Sequence, residues 1–119
     1  MTRAIVLFGH GSRDPQWREP LEAVARRIRS RSAQAEVRCA FLELDAPDLE
    51  TAVGELVEGG AKSIRVVPMF LGAGRHARED LPRLVDRCRH AYPAVHFELR
   101  PSVGENARLL DLLATIVLE

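Results

Sequence analysis

Four short apolar runs alternate with stretches whose apolar residues recur every three or four positions, and this alternation constrains the fold more than any other feature of the chain. Residues 3 to 8 contain five consecutive apolar positions, Ala4 to Phe8, that stop at Gly9. That is too short for a stable helix and suits a buried strand. Asp14-Pro15 reads as a cap followed by a first-turn proline, and Trp17, Leu21, Val24, Ala25 and Ile28 then recur at helical spacing. A helix over about 15 to 31 follows, with Pro20 able to delay its regular part by one turn. Residues 37 to 42 form a second strand. Pro47 starts a second helix, with Leu49, Val53, Leu56 and Val57 facing inward until Gly59-Gly60 stops it. The third strand spans residues 63 to 68. After a histidine-bearing loop, a third helix carries Leu81, Leu84, Val85 and Cys88 on one stripe and ends before Tyr92-Pro93. A fourth strand covers 95 to 99.

The βαβαβαβα pattern predicts a single α/β domain over residues 1–119: a four-stranded parallel sheet with helices on both faces and right-handed crossovers. In the flavodoxin-like order 2-1-3-4, the first and third strands are neighbours, and the loops after them flank the usual ligand crevice. The last helix, about 105 to 118, has apolar residues at 109, 110, 112, 113, 116 and 117. That stripe is wider than one core-facing side requires, so this helix is expected to pack against another subunit as well as its own sheet.

The crevice is where the unusual residues fall. The first strand runs into Gly9-His10-Gly11-Ser12-Arg13, and the third into Phe70-Leu71-Gly72-Ala73-Gly74-Arg75-His76. Two strand ends thus each deliver a histidine and an arginine between glycines that leave room for a large ligand. A neutral imidazole can bind a borderline divalent metal or accept a proton near neutral pH. Two histidines are too few for a closed structural zinc site, which uses four protein ligands, so a transient site with open positions is the better reading. Glu43, after the second strand, can add a carboxylate, with Asp45 a weaker candidate. Arg13, Arg75 and Arg78, with the Ser12 hydroxyl, would match a ligand bearing several carboxylates. Gly72 and Gly74 keep the wall low enough for a flat molecule. His90 and His96 read as surface or packing residues.

Composition excludes several classes. The 17 basic and 17 acidic side chains balance, so the whole molecule has no attraction for nucleic acid or an anionic membrane. Lys62 is the sole lysine; arginine's planar fork suits carboxylates, although a GC-rich coding sequence produces the same bias. No run is long enough to span a membrane and no signal sequence is recognisable, so a cytoplasmic protein is expected. Cys39 and Cys88 lack a Cys-x-x-Cys spacing and read as small buried apolar residues. Neither a Walker-type loop nor a dinucleotide glycine fingerprint is present, and Ser12 lacks the Gly-x-Ser-x-Gly elbow of a hydrolase.

Gly9-His10-Gly11-Ser12-Arg13, Phe41-Leu42-Glu43, Pro68-Met69-Phe70-Leu71, Gly74-x-His76 and Asp80-Leu81-Pro82, in this order across nearly the whole chain, resemble the short CbiX/SirB family of sirohydrochlorin chelatases, which are class II chelatase-like. The resemblance implies ATP-independent insertion of cobalt(II) or iron(II), with nickel(II) a further candidate, into a tetrapyrrole with many acetate and propionate groups, in cobalamin or siroheme biosynthesis. It carries over metal binding and proton acceptance to His10 and His76, and a supporting acid to Glu43. Substrate binding would fall to Ser12, Arg13, Gly74, Arg75 and Arg78. Longer family members hold two such domains facing each other, which implies a homodimer here. Two other classes remain at this stage: a non-enzymatic carrier of metal or tetrapyrrole, and a histidine-phosphatase-like hydrolase with His10 as nucleophile. The hydrolase reading is weakened by Gly9, where that family usually has arginine.

Overall fold

The computed structural model describes residues 3–119 and contains the expected parallel sheet. Strands β1 (Arg3–Gly9), β2 (Glu36–Phe41), β3 (Ser63–Pro68) and β4 (His96–Leu99) lie in the order β2-β1-β3-β4. All three pairings are parallel, with Leu7 between Cys39 and Val67. Successive side chains of a strand point to opposite faces, so each strand serves two cores.

On one face Ala4, Val6, Phe8, Ala40, Ile64, Val66 and Phe97 pack under α2 (Leu49–Glu58) and α3 (Arg75–Ala91). On the other, Leu7, Val37, Cys39 and Phe41 meet Leu21 and Ala25 of α1 (Glu19–Arg31). Both cysteines are buried free thiols, as their sequence context predicts, and burial pushes each thiol pKa up to about 11. Among the described residues no helix is both long and apolar enough to cross a membrane.

Several boundaries differ from the sequence reading. Pro15–Arg18 forms a 3-10 turn, capped by the Asp14 carboxylate on the Gln16 N–H, and regular α1 begins at Glu19 with Pro20 in its first turn. Pro47 lies outside α2, because Asp48 is the true cap: its carboxylate accepts the Thr51 N–H at 2.8 Å. The stretch carrying His76 is not a loop. Gly74 is the N-cap of α3, and the Arg78 N–H closes the first turn on the Gly74 carbonyl. The helix continues through Pro82, whose missing N–H leaves only the carbonyl of exposed Arg78 without its intrahelical donor.

The largest departure is α4 (Ala107–Leu118), which follows a 3-10 turn at Val103–Glu105. It was expected to share its apolar surface between its own sheet and a partner. Instead it buries no residue and packs chiefly against the 3-10 turn that precedes it. The two-faced arrangement therefore holds for α1, α2 and α3, while β3 and β4 carry no helix on the α1 side. The projecting helix is also visible in the molecule's dimensions. The radius of gyration is 14.5 Å, against about 13.5 Å for a compact chain of this length.

Candidate active site at the C-terminal edge of the sheet

Backbone pairing between β1 and β2 continues beyond the strand ends. The carbonyls of Gly9 and His10 accept the N–H groups of Leu42 and Glu43 at 3.0 and 3.1 Å. Gly11 makes this approach possible: its φ is +104°, and a Cβ there would stand 1.7 Å from the Glu43 carbonyl oxygen. Only glycine accepts both the left-handed backbone and the lack of space. The next loop residue, Leu44, holds a left-handed φ of 65°, which a side chain resists by about 1–2 kcal/mol.

A tether keeps that loop bent. The Asp45 carboxylate accepts from Arg18 at 3.2 Å and from the Ala46 N–H at 2.8 Å. Arg18 also donates to Glu22 and lies 4.7 Å over the Phe41 ring. The Glu22 hydrogen bond, together with the Asp45 charge, raises the Arg18 pKa further above its ordinary value. Asp45 is thus committed to holding the loop, which leaves Glu43 as the available acid.

The consequence is a preset pair. His10 Nε2 lies 3.6 Å from Glu43 Oε1, with the two side chains 50% and 56% exposed. This is ion-pair distance and too long for a made hydrogen bond, so each group keeps capacity for a third atom from solvent or ligand. The nearby Ser12 Oγ accepts the Asp14 N–H at 3.1 Å, which leaves its own proton free to donate.

His76 stands on the other side of the edge, exposed in the first turn of α3. Among the described residues no three His, Cys, Asp or Glu side chains converge closely enough to hold a metal ion. The structure therefore brings His10 and Glu43 together and leaves His76 on a separate element. Arg75 donates to Glu79 at 3.0 Å from a highly exposed position, whereas Arg13 and Arg78 form no ion pair among the described residues. A Cβ at Gly72 or Gly74 would meet nothing within 4 Å, so the wall here is open, as the sequence suggested.

A crevice of about 410 Å³ opens between this wall and the segment after β4; Phe70, Leu71, Arg78, Leu99, Arg100 and Ser102 are among its lining residues. Neither histidine lines it: His10 directly follows β1, and His76 lies in the first turn of α3. Sequence reasoning identified Arg78 but missed Arg100 and Ser102. The signal for Ser102 was Ser102-x-x-Glu105, a capping signature; Arg100 had none. Ser102 donates its hydroxyl to the Phe70 carbonyl at 2.6 Å and its N–H to Glu105 at 3.2 Å, and the Gly104 N–H also reaches the Phe70 carbonyl, at 2.8 Å. These bonds join the β4 end to the start of the loop that leads to His76.

The family model described as CbiX matches residues 4–119. A sirohydrochlorin cobaltochelatase from Methanocaldococcus jannaschii is 42% identical over 82 residues, 69% of this chain and 57% of the relative. A sirohydrochlorin ferrochelatase from Bacillus subtilis is 32% identical over 104 residues, 87% of this chain and 40% of the relative. The chain thus spans little more than half, or less, of these relatives' lengths. Among solved structures, a putative cobalamin biosynthesis CbiX protein from Marinobacter aquaeolei superposes with a TM-score of 0.82 at 34% identity, covering 97% of this chain and 93% of that one. The sirohydrochlorin chelatase SirB from Bacillus subtilis subspecies spizizenii, in complex with cobalt, gives 0.83 at 27% identity, with 98% of this chain on 50% of that one. With the model matched along almost its full length, this chain belongs to the CbiX family.

Proposed function

We propose that this chain inserts cobalt(II) or iron(II) into sirohydrochlorin without ATP, in cobalamin or siroheme synthesis. The observation that carries the reading is the His10–Glu43 pair, held 3.6 Å apart at an open, glycine-walled sheet edge. Similarity to cobalto- and ferrochelatases and to a cobalt-bound SirB supports the choice of metal and macrocycle.

In the reaction a divalent ion sheds water and enters the ring as two pyrrole N–H protons leave, so metal(II) and the free-base ring give the metallated ring and two protons. His10 binds the incoming ion or takes a proton, and Glu43 stabilises the imidazolium that results. His76 supplies a second ligand or base from the α3 side. An imidazole and carboxylate set with open positions holds the ion weakly enough for four ring nitrogens to win it. Arg13 and Arg78, without ion-pair partners among the described residues, anchor the peripheral carboxylates, with Ser12, Gly74 and Arg75 shaping the same rim.

The chain carries one such edge. We further propose that two copies pair as a homodimer, opposing their edges around the flat ring and bringing the His10–Glu43 pair and His76 onto one substrate. The test is anaerobic incubation with sirohydrochlorin and either metal, followed by absorbance. His10→Ala and His76→Ala should each lose about 100-fold or more in rate while remaining folded. Parent-like rates in both, or no acceleration by the parent over spontaneous insertion, would overturn the reading; the latter outcome is that of a carrier.

A further inference from the structure

Arg18 closes the 3-10 turn before α1, and its guanidinium is held from three directions. Its plane lies 4.7 Å over the ring of Phe41, the fully buried last residue of β2, whose edge is met by Trp17. Nη2 donates to Glu22, one turn further along, at 2.9 Å. With height and rotation fixed by the stack and by Glu22, Nη1 is aimed at the loop after β2, where it donates to Asp45 Oδ1 at 3.2 Å and to the Ala46 carbonyl at 3.0 Å. A planar fork can serve an acid on one nitrogen and a loop on the other; a lysine ammonium, a point charge on a flexible stem, cannot.

The loop that Arg18 grips is the one that presents Glu43. On one flank the Leu42 and Glu43 N–H groups are tied to the carbonyls of Gly9 and His10. On the other flank stand Asp45 and Ala46, tied to Arg18. Between the two anchors Leu44 holds a left-handed φ of 65° that its Cβ resists, and its side chain is 52% exposed, so burial does little to keep it there. The Glu43 side chain is itself 56% exposed, so its backbone, more than packing around the carboxylate, decides where that carboxylate stands. Release of the second anchor would let Leu44 relax to an ordinary φ and turn the Glu43 backbone with it.

We infer that Arg18 is a positioning residue for metal insertion: through Asp45 and Ala46 it holds Leu44 in its left-handed conformation and so keeps the Glu43 carboxylate facing His10. The inference rests on the function proposed above and adds to it a residue that touches neither metal nor macrocycle. The same arrangement settles which acid serves the histidine. The Arg18 charge is spent on Glu22 and Asp45, so it does not compete with His10 for Glu43. Orientation of a functional side chain by a partner behind it is worth about 10- to 100-fold in affinity or activity at sites of this kind.

The test is a double-mutant cycle with Arg18→Met, which keeps an apolar stem over Phe41, and Glu43→Ala, assayed with sirohydrochlorin and cobalt(II). In the parent background Arg18→Met should lower kcat about 10-fold and leave KM for the tetrapyrrole within about twofold. In the Glu43→Ala background it should cost less than about twofold, because the group it positions is gone. Equal losses in both backgrounds, or no loss in the parent, would overturn the inference. A second measurement needs no turnover: hydrogen exchange at the Glu43 amide should quicken at least about 10-fold in Arg18→Met, while amides in the middle of β1 keep their parent rates. Parent-like exchange at Glu43 would refute the tether whatever the activity. A parent that fails to accelerate insertion would overturn the proposed reaction and this inference together; an active parent with an additive cycle would overturn the inference alone. Circular dichroism checks the fold, and should Arg18→Met unfold, Asp45→Ala carries the same expectations from the other end of the bond.

Discussion

Gly11 and Gly72 occupy neighbouring loops and do opposite things. Gly11 is required twice, by its φ of +104° and by the Glu43 carbonyl 1.7 Å from where a Cβ would be. Gly11→Ala should cost more than about 2 kcal/mol in a urea melt, from the left-handed penalty plus displacement of the loop that carries Glu43. Gly72→Ala, with open space and no left-handed φ, should stay within about 0.5 kcal/mol. The sequence showed both as glycines in a motif and could not separate them, because the contact that distinguishes them comes from a residue more than thirty positions away. The positions of His10 and Glu43 were legible for the reverse reason: polar residues immediately after a buried apolar strand must lie at its end, whereas His76, eight residues beyond β3 and within α3, could not be placed that way. The cysteines provide another check. With both thiols buried and their pKa near 11, an aromatic disulfide reagent at pH 8 should modify almost none of the native protein and two thiols in denaturant. Arg13→Ala and Arg78→Ala should raise KM for the tetrapyrrole with little change in kcat, as expected for contacts made equally in ground and transition states.

At the level of elements, the strands were read within a residue or so at each end, since a short apolar run closed by glycine or proline has few alternatives. Helix starts were harder to read, because they depend on which side chain reaches which N–H. Pro47 looked like the start of α2, yet Asp48 makes the bond. Asp48→Ala should destabilise the protein by about 1 kcal/mol at pH 7. The Thr51 hydrogen bonds hold the Asp48 carboxyl below its ordinary pKa, so its contribution is fully present above about pH 4. It is lost as pH falls through the lowered folded value. The gap between parent and Asp48→Ala in denaturation midpoints should accordingly narrow below pH 4 and stay constant from pH 5 to 8. The stitching of Ser102 and Gly104 to Phe70 lay beyond sequence reasoning, since it joins two segments about thirty residues apart through backbone carbonyls that any residue could offer.

For the molecule as a whole, the sheet order followed from the alternation of elements, and the breadth of the α4 stripe signalled more apolar surface than one sheet face could use. What the pattern could not say was that the helix abandons its own sheet altogether, because hydrophobic burial is non-directional and does not specify what supplies the cover. The same strand order has a consequence for how the chain is made. The earliest of the four strands to be translated is one of the two central ones, and its partner β3 follows roughly sixty residues later, with Ser63 pairing Arg3. At about 5–20 residues per second, one edge of β1 waits roughly 3–12 s after β1 itself is synthesised. Throughout that interval Ala4 to Phe8 is a nascent apolar segment with an unpaired edge, so the stretch that ends at His10 is exposed to pairing with other chains until β3 arrives.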